Sequence, residues 1–465
     1  MYRGIFMMQS LLIVKGEIIM MNKKRFTITL TATLAVAITV AGCGKTDQPK
    51  ATDAGTKPGK AEELVITEPV TVKLYSHYAA INTPADVDAL FGTIKKKHPN
   101  ITIELIKGTT LDKMISAGEV PDLIATSHFY MGGLLPLEVG SDMNDFVKKY
   151  DVDLNRFEPQ AINAIKMYGK KGELFGIPYT LNYGVLAYNK DIFDRFGVPY
   201  PKDGMTWEET IDLAAKVTRM DNGNQYIGLD PGSERTFARG YSLGTIDKNG
   251  KPAFDSDGYR KVFNLLEKMY NIPGYIGPGN KWQYGIDYFL KDQKLAMMQT
   301  WLAALTSRLP QLNEPGKGFN WDVAGHPVFS DKPGLGRELT FQSFMVPPTA
   351  KNKEAAYRII LTMISDESQA EMNRGNNLTI LNNEEMKKQF ASSTDIYKGK
   401  NLPGVFKVKP AQAPIPSPEY DEENYKFLRE SLLDMILNKR DVNTVLRTAQ
   451  EKSEKYIQSE QARNK

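Results

Sequence analysis

The period of the hydrophobic pattern changes repeatedly along this chain, and each change marks an element. Between Val70 and Leu74 apolar and polar residues alternate like a half-buried strand, and the run leads into Tyr75-Ser76-His77-Tyr78. Pro84 then opens a stretch in which Val87, Leu90, Phe91 and Ile94 recur at helical spacing. His98-Pro99-Asn100 turns the chain, Ile101 to Leu105 alternates again, and Leu123-Ile124-Ala125 follows as a short apolar run. Strand, helix and strand in this order predict an α/β chain with a mostly parallel sheet flanked by helices. Ligands of such sheets sit beyond the carboxyl ends of the strands, and two loops stand there: Tyr75 to Tyr78 and Thr126 to Tyr130.

Further along, Ile177 to Asn189 is rich in Tyr, Val and Leu and broken by Gly184, which predicts a strand pair or one long bent strand. Asn189 and Asp191 start a short helix with Ile192, Phe193 and Phe196 on one face, and Gly197 closes it. Thr206-Trp207-Glu208-Glu209 is a capping box, in which hydroxyl and carboxylate each satisfy an exposed backbone N–H, so a second helix begins at Trp207. Tyr226 to Leu229 is a strand ending at Asp230-Pro231, and Asp247 to Lys251 is a turn of the Asn-Gly type. Val262, Leu265, Leu266 and Met269 mark an amphipathic helix, Arg337 to Pro347 a further strand, and Lys353 to Ile364 another helix. Pro403 to Pro418 is a Pro-rich surface connection. Two helices close the chain, one striped by Tyr425, Leu428, Leu432 and Met435, the other by Val442, Val445, Leu446 and Ala449.

The run GIPYTLNYGVLAYNKDIFDRFGVPYPKDGMTWEETIDLAAKVT, from Gly176 to Thr218, resembles the signature of the extracellular solute-binding proteins of ABC importers, family 1, the sugar-binding group that includes maltose-binding protein. That family carries Tyr-Asn-Lys-Asp, then a Gly, then Thr-Trp-Glu-Glu, in this order and at nearly this spacing. The similarity extends from about Thr71 to the C-terminus. It implies a two-lobed periplasmic-binding-protein-like fold of type II, each lobe a mostly parallel sheet flanked by helices, joined by hinge strands crossing near Ile177–Leu186, near Val328–Gln342 and after Ile380. The expected lobes are residues 65–180 with 342–385 and residues 181–341 with 386–465.

Pro121-Asp122-Leu123-Ile124, followed by His128 and Gly132-Gly133, resembles the family's second motif, which implies that Thr126, Ser127, Phe129 and Tyr130 face the ligand. Where the maltose-binding member offers charged and Trp side chains, this chain has hydroxyls and rings, so maltose itself is not implied. Lys294 to Trp301 resembles the family segment whose Trp stacks on a sugar ring, and Tyr425 falls where the family places another ring. Trp301 is the leading site residue, with core packing as its competing role. Rings at strand ends can cover the C–H faces of a pyranose, and Tyr75, Tyr78, Phe129, Tyr130, Tyr179, Tyr183 and Trp301 lie at such ends. Thr126, Asn182 and Gln342 can take its hydroxyls, and His77, Asp230 and Phe341 complete the expected set. The implied function is capture of a mono- or oligosaccharide by a monomer that delivers it to the permease of an ABC importer. A surface glycoside hydrolase or esterase, or a binding protein for a polyamine or peptide, are the alternatives.

The charge balance changes once the first residues are set aside. The whole chain has a formal charge of +4, but residues 1–42 hold five of its 59 basic and one of its 55 acidic side chains, leaving 54 of each. No excess of Lys and Arg remains to release counterions from a nucleic acid. Lys23-Lys24-Arg25, the apolar stretch Phe26 to Val40 and then Val40-Ala41-Gly42-Cys43 resemble a bacterial lipoprotein signal, which implies that residues 1–42 are removed and Cys43 becomes a lipidated N-terminus. The expected site is the outer face of the cytoplasmic membrane of a Gram-positive bacterium. Residues 1–20 precede a plausible start at Met21, and residues 43–64 are too poor in bulky apolar side chains to form a core and read as a tether. Cys43 is the one cysteine, which excludes a disulfide framework and a Cys-based zinc cluster.

Two constellations suggest chemistry without sustaining it. Gly240-Tyr241-Ser242-Leu243-Gly244 fits G-x-S-x-G, but a nucleophile elbow needs a helix directly after the Ser, and a turn follows here. Asp255-Ser256-Asp257-Gly258 begins like a calcium loop but lacks the closing Glu, and reads as a helix N-cap. With four His, no H-E-x-x-H and no phosphate-binding loop, neither a catalyst nor a metal or other cofactor is expected.

Overall fold

Twelve strands, few longer than seven residues, carry the architecture of this computed structural model, which describes residues 66–309 and 318–463. The expected leader, Cys43 and the tether lie outside the described residues. In chain order the strands are β1 (Val70–His77), β2 (Ile101–Leu105), β3 (Leu123–Ser127), β4 (Ile177–Asn182), β5 (Gly184–Asn189) and β6 (Arg219–Asp221). There follow β7 (Asn224–Asp230), β8 (Leu295–Trp301), β9 (Trp321–Gly325), β10 (Leu335–Glu338), β11 (Thr340–Met345) and β12 (Lys409–Ala411). One five-stranded sheet has the order β2-β1-β3-β11-β4, the other β6-β7-β8-β5-β9, and β10 pairs with β12 in a two-stranded sheet. Helices cover both sheets, giving the two-lobed α/β fold that the alternating pattern implies.

The sheets are mixed rather than mostly parallel, and the reason is topological. Within the two five-stranded sheets parallel pairing is confined to β1 with β2 and β3, and to β7 with β8. One strand at each crossing runs the other way: β11 is antiparallel to both of its neighbours, β3 and β4, so that β4 keeps the direction of β1 to β3, and β5 is antiparallel to β8 and β9. β4 passes through Tyr183 alone into β5, and β10 returns through Leu339 alone into β11. The single strand expected over Arg337–Pro347 is therefore two, one in each pairing.

Local signals hold at the helix ends. Thr206 Oγ1 accepts from the Glu209 N–H at 3.1 Å while the Thr206 N–H donates to Glu209 Oε2 at 2.8 Å. Asn189 Oδ1 caps the next helix N-terminus, and Gly197 ends that helix in the left-handed region at φ 63°. Ser256 caps the helix Asp257–Tyr270 by accepting from Tyr259, as the N-cap reading of that segment expects. Ser242 follows the helix Glu234–Gly240 at φ 65°, with no strand before it and no helix after it, unlike a nucleophile elbow.

The crossing is locked by a buried polar group. Tyr183 Oη donates to Glu158 Oε2 at 3.0 Å, and Lys387 Nζ donates to the same oxygen at 2.8 Å, with Lys387 and Glu158 almost wholly buried. A buried pair of this kind costs about 3–5 kcal/mol when one partner is removed, because the other charge is then left alone. Among the described residues no helix is long and apolar enough to cross a membrane.

Candidate functional site

The carboxyl ends of β1 and β3 open onto a cavity of about 490 Å³. His77, His128, Phe129 and Tyr130 form its wall on the first lobe. Arg235, Thr236 and Arg239, from the helix Glu234–Gly240, form the wall on the second, with Arg337 and Glu338 from β10 between them. Asp421 and Tyr425 from the helix Asp421–Asn438, and prolines of the segment before it, complete the enclosure. Gly132 is close-packed here: a Cβ on it would stand 2.9 Å from Pro418 Cγ, which ties the first lobe's helix to that Pro-rich segment.

His128 is buried between ring neighbours, stacked on Phe341 at 4.3 Å and 13°. Its Nδ1 accepts from Thr340 Oγ1 at 3.1 Å and from the Phe341 N–H at 3.4 Å, which leaves the proton on Nε2. Nε2 has no partner in the protein. Burial, reinforced by the Arg239 charge, holds the pKa well below the ordinary histidine value, so the ring is a neutral donor. At the rim His77 Nδ1 meets Thr126 Oγ1 at 3.1 Å, and burial lowers its pKa too. Tyr78 and Tyr130 are stacked there at 4.1 Å and 21°, exposed to 66% and 46%.

The guanidinium groups are held in three different ways. Arg239 pairs with Glu338, both buried, and its Nη1 donates to Tyr425 Oη at 3.4 Å. Burial opposes its charge, yet Glu338 and Tyr425 raise its pKa above the usual arginine value. Arg235 lies 4.3 Å from the Tyr425 ring centre and 5.7 Å from that of Phe129. Arg337 lies 3.5 Å from the Trp301 ring and donates through Nη1 to Gln299 Oε1 at 3.1 Å. Burial, against the pull of Glu338, lowers its pKa to about 9, which leaves it charged at neutral pH.

A second cavity, about 650 Å³, lies beyond the carboxyl ends of β7 and β8, and Ser233 lines both. Tyr284, Gln299, Thr300 and Arg308 face it, and Asp230 anchors its floor. Asp230 Oδ1 accepts from Gly232 at 2.9 Å, and Oδ2 accepts from Tyr284 at 3.3 Å and Gly285 at 2.5 Å.

Of the residues expected from sequence, His77, Phe129, Tyr130 and Tyr425 come together in the first cavity, with Tyr78 stacked at its rim, and Asp230 lies in the second. The others line neither. Tyr183 is buried on Glu158, and Tyr179 is buried against Phe344 at 4.1 Å. Phe341 backs His128, and Thr126 and Ser127 are buried at the end of β3. Tyr75 packs half-buried against the core, and Asn182 Oδ1 accepts from the Ala303 N–H at 2.9 Å. Gln342 is half-buried with Oε1 unpartnered. Trp301 is half-buried, with Arg337 over the ring where a sugar was expected. Sequence reasoning missed Arg235, Arg239, Arg337 and Glu338. The first two were within reach of the strand-end rule, since they follow β7 by a short loop and sit one helical turn apart.

Two lobes joined by crossing strands, with a ring- and guanidinium-lined cavity between them, define a binding protein of the type II periplasmic class. Residues 89–394 match the family described as bacterial extracellular solute-binding protein, and the chain belongs to that family. Membership places it outside the cytoplasm, among solute-binding proteins. It is similar to the arabinooligosaccharide-binding protein of Bacillus subtilis, 27% identical over 177 residues that cover 37% of each protein. The chain thus aligns with little more than a third of that relative's length. An ABC substrate-binding protein from Listeria monocytogenes, solved in complex with cycloalternan, superposes with a TM-score of 0.66 at 18% identity over 83% of this chain and 98% of that one. A sugar transporter from Rhizobium etli, in an open conformation, gives 0.67 at 17% identity over 83% and 99%.

Proposed function

We propose that the protein captures a carbohydrate between its lobes and delivers it to the permease of an ABC importer. The observation that carries this reading is the first cavity, where the rings of Phe129, Tyr130 and Tyr425 stand beside an unpartnered His128 Nε2. Rings match the C–H faces of a pyranose, and a buried neutral donor without a partner is satisfied by a sugar hydroxyl. The names of similar proteins, which include an arabinooligosaccharide-binding protein, support the same class. In this reading the lobes are residues 65–180 with 342–385 and 181–341 with 386–465, the protein acts as a monomer, and a lipid on Cys43 holds it at the outer face of the cytoplasmic membrane in a Gram-positive cell. Catalysis has no part in it.

A thermal-shift screen over mono- and oligosaccharides, polyamines and short peptides tests the reading. A ligand at a hundredfold excess over its Kd stabilises the folded state by about 2.7 kcal/mol, which such a screen detects. Stabilisation by a polyamine or peptide and by no sugar would overturn it, as would turnover of chromogenic glycosides or esters.

A further inference from the structure

The charges on the first cavity do not cancel residue by residue. Glu338 gives Oε1 to Arg239, and its Oε2 is buried without a hydrogen-bond partner. Asp421 is held by two donors, Thr245 Oγ1 at 2.6 Å and the Ser417 N–H at 2.8 Å, and burial raises its pKa. Glu422 is exposed. Two cations on the wall are left: Arg235, which lies over the rings of Phe129 and Tyr425, and Arg337, whose Nη1 donates to Gln299 Oε1 and whose Nε is buried with no partner. Neither forms an ion pair among the described residues.

A partly buried arginine without a counterion is stabilised when an anion joins it, and a protein needing only a hydroxyl donor there could use a neutral side chain. Guanidinium is also the group best matched to two oxygens of one anion, since its N–H groups form a planar fork. Arg235 comes from a helix and Arg337 from a crossing strand, so each element brings one cation to the same cavity. Both are backed by rings, Tyr425 and Trp301, which hold the guanidinium planes without occupying their N–H edges.

We propose that the solute is an acidic carbohydrate, whose carboxylate or phosphate is received by Arg235 and Arg337 while Tyr130 and Phe129 cover its sugar faces. This rests on the carbohydrate reading above and narrows it. Trp301, on this account, is a positioning residue for Arg337 rather than a sugar platform.

Calorimetry on the full chain tests it with matched probes: trigalacturonate against galactotriose for the carboxylate, and glucose 6-phosphate against glucose for the phosphate. One acidic member should bind at least tenfold more tightly than its neutral partner, and its Kd should rise with added NaCl. Arg235→Gln and Arg337→Gln should each erase that preference, so that the acidic and neutral members of the pair bind the variant with Kd values within about twofold of each other. Arg235 is half-exposed and unpaired, so Arg235→Gln decides the matter if Arg337→Gln fails to fold. Neutral partners binding as tightly as acidic ones would overturn the acidic proposal and leave the carbohydrate reading standing. No binding by any of the four, with a non-sugar solute stabilising the protein, would overturn both.

Discussion

Tyr130 offers the sharpest separation of a ligand contact from a structural one. Its ring is 46% exposed and rests on Tyr78, itself 66% exposed, at the rim of the cavity. Replacing it by Ala costs the unliganded protein at most the stack, about 0.5–1.5 kcal/mol, because little of the ring is buried in the core. A bound sugar would cover what remains open. A Tyr side chain presents about 150–250 Å² when fully buried, so close to half of that, about 90 Å², is available. At about 25 cal/mol per Å² this is worth about 2 kcal/mol, or roughly a thirtyfold rise in Kd. The assay pairs denaturant unfolding of the unliganded variant with calorimetric titration by whichever sugar the screen selects. A Kd within threefold of the parent would refute the reasoning, and so would a loss of apo stability beyond about 3 kcal/mol, which would mean that the ring holds the loop rather than the ligand.

Trp301→Ala should act in the opposite way, lowering apo stability by about 2–4 kcal/mol, since it removes a half-buried ring together with the support of Arg337. An unchanged melting transition would contradict this. His326 is buried with its pKa lowered to about 3 by burial, so only the unfolded chain takes up its proton as pH falls below 6.5. Its contribution is fully present above pH 6.5 and is lost as pH falls toward 3, about 2 kcal/mol having gone by pH 5; His326→Gln should flatten the stability profile between pH 8 and 5, and parallel profiles would refute it. Ligand binding should close the lobes about the strand crossings at Tyr183 and Leu339, seen as a smaller radius of gyration by small-angle scattering at saturation. The membrane-bound form should carry lipid on Cys43, and an unmodified mass there would exclude the anchor.

What could be read in the sequence follows the range of the interactions involved. The capping box at Thr206 and the Asn189 cap rest on residues within three positions of one another, so the pattern alone places them. The break at Gly184 was visible, but its cause was not. A Cβ there would stand 2.4 Å from Arg337 Cγ and Cδ, a side chain more than 150 positions away that only the fold brings against β5. The fate of Trp301 turns on the same residue. Its place at the end of a strand was legible, whereas the guanidinium over its ring was not, because nothing in Arg337-Glu338 distinguishes a strand-end cation from a solvated one. Tyr183 shows the same limit: an aromatic at a strand end reads as a sugar platform until Glu158 and Lys387 arrive from distant segments and bury it.

The charged residues of the cleft divide along the helix Glu234–Gly240. Arg239 is fixed by Glu338 on β10, so this helix of the second lobe is tied to the strand that returns the chain to the first. Because removing one partner of a buried pair exposes the other to the full cost of desolvation, the helix is not free to rotate about its axis. Arg235 sits one turn earlier on that fixed helix, and its side chain is therefore delivered to the cavity wall without an ion pair of its own. One arginine sets the geometry and the other is left to meet a solute. That division explains why the site holds a buried ion pair and an unpaired cation four residues apart, and why replacing Arg239 should damage the fold where replacing Arg235 should touch only the ligand.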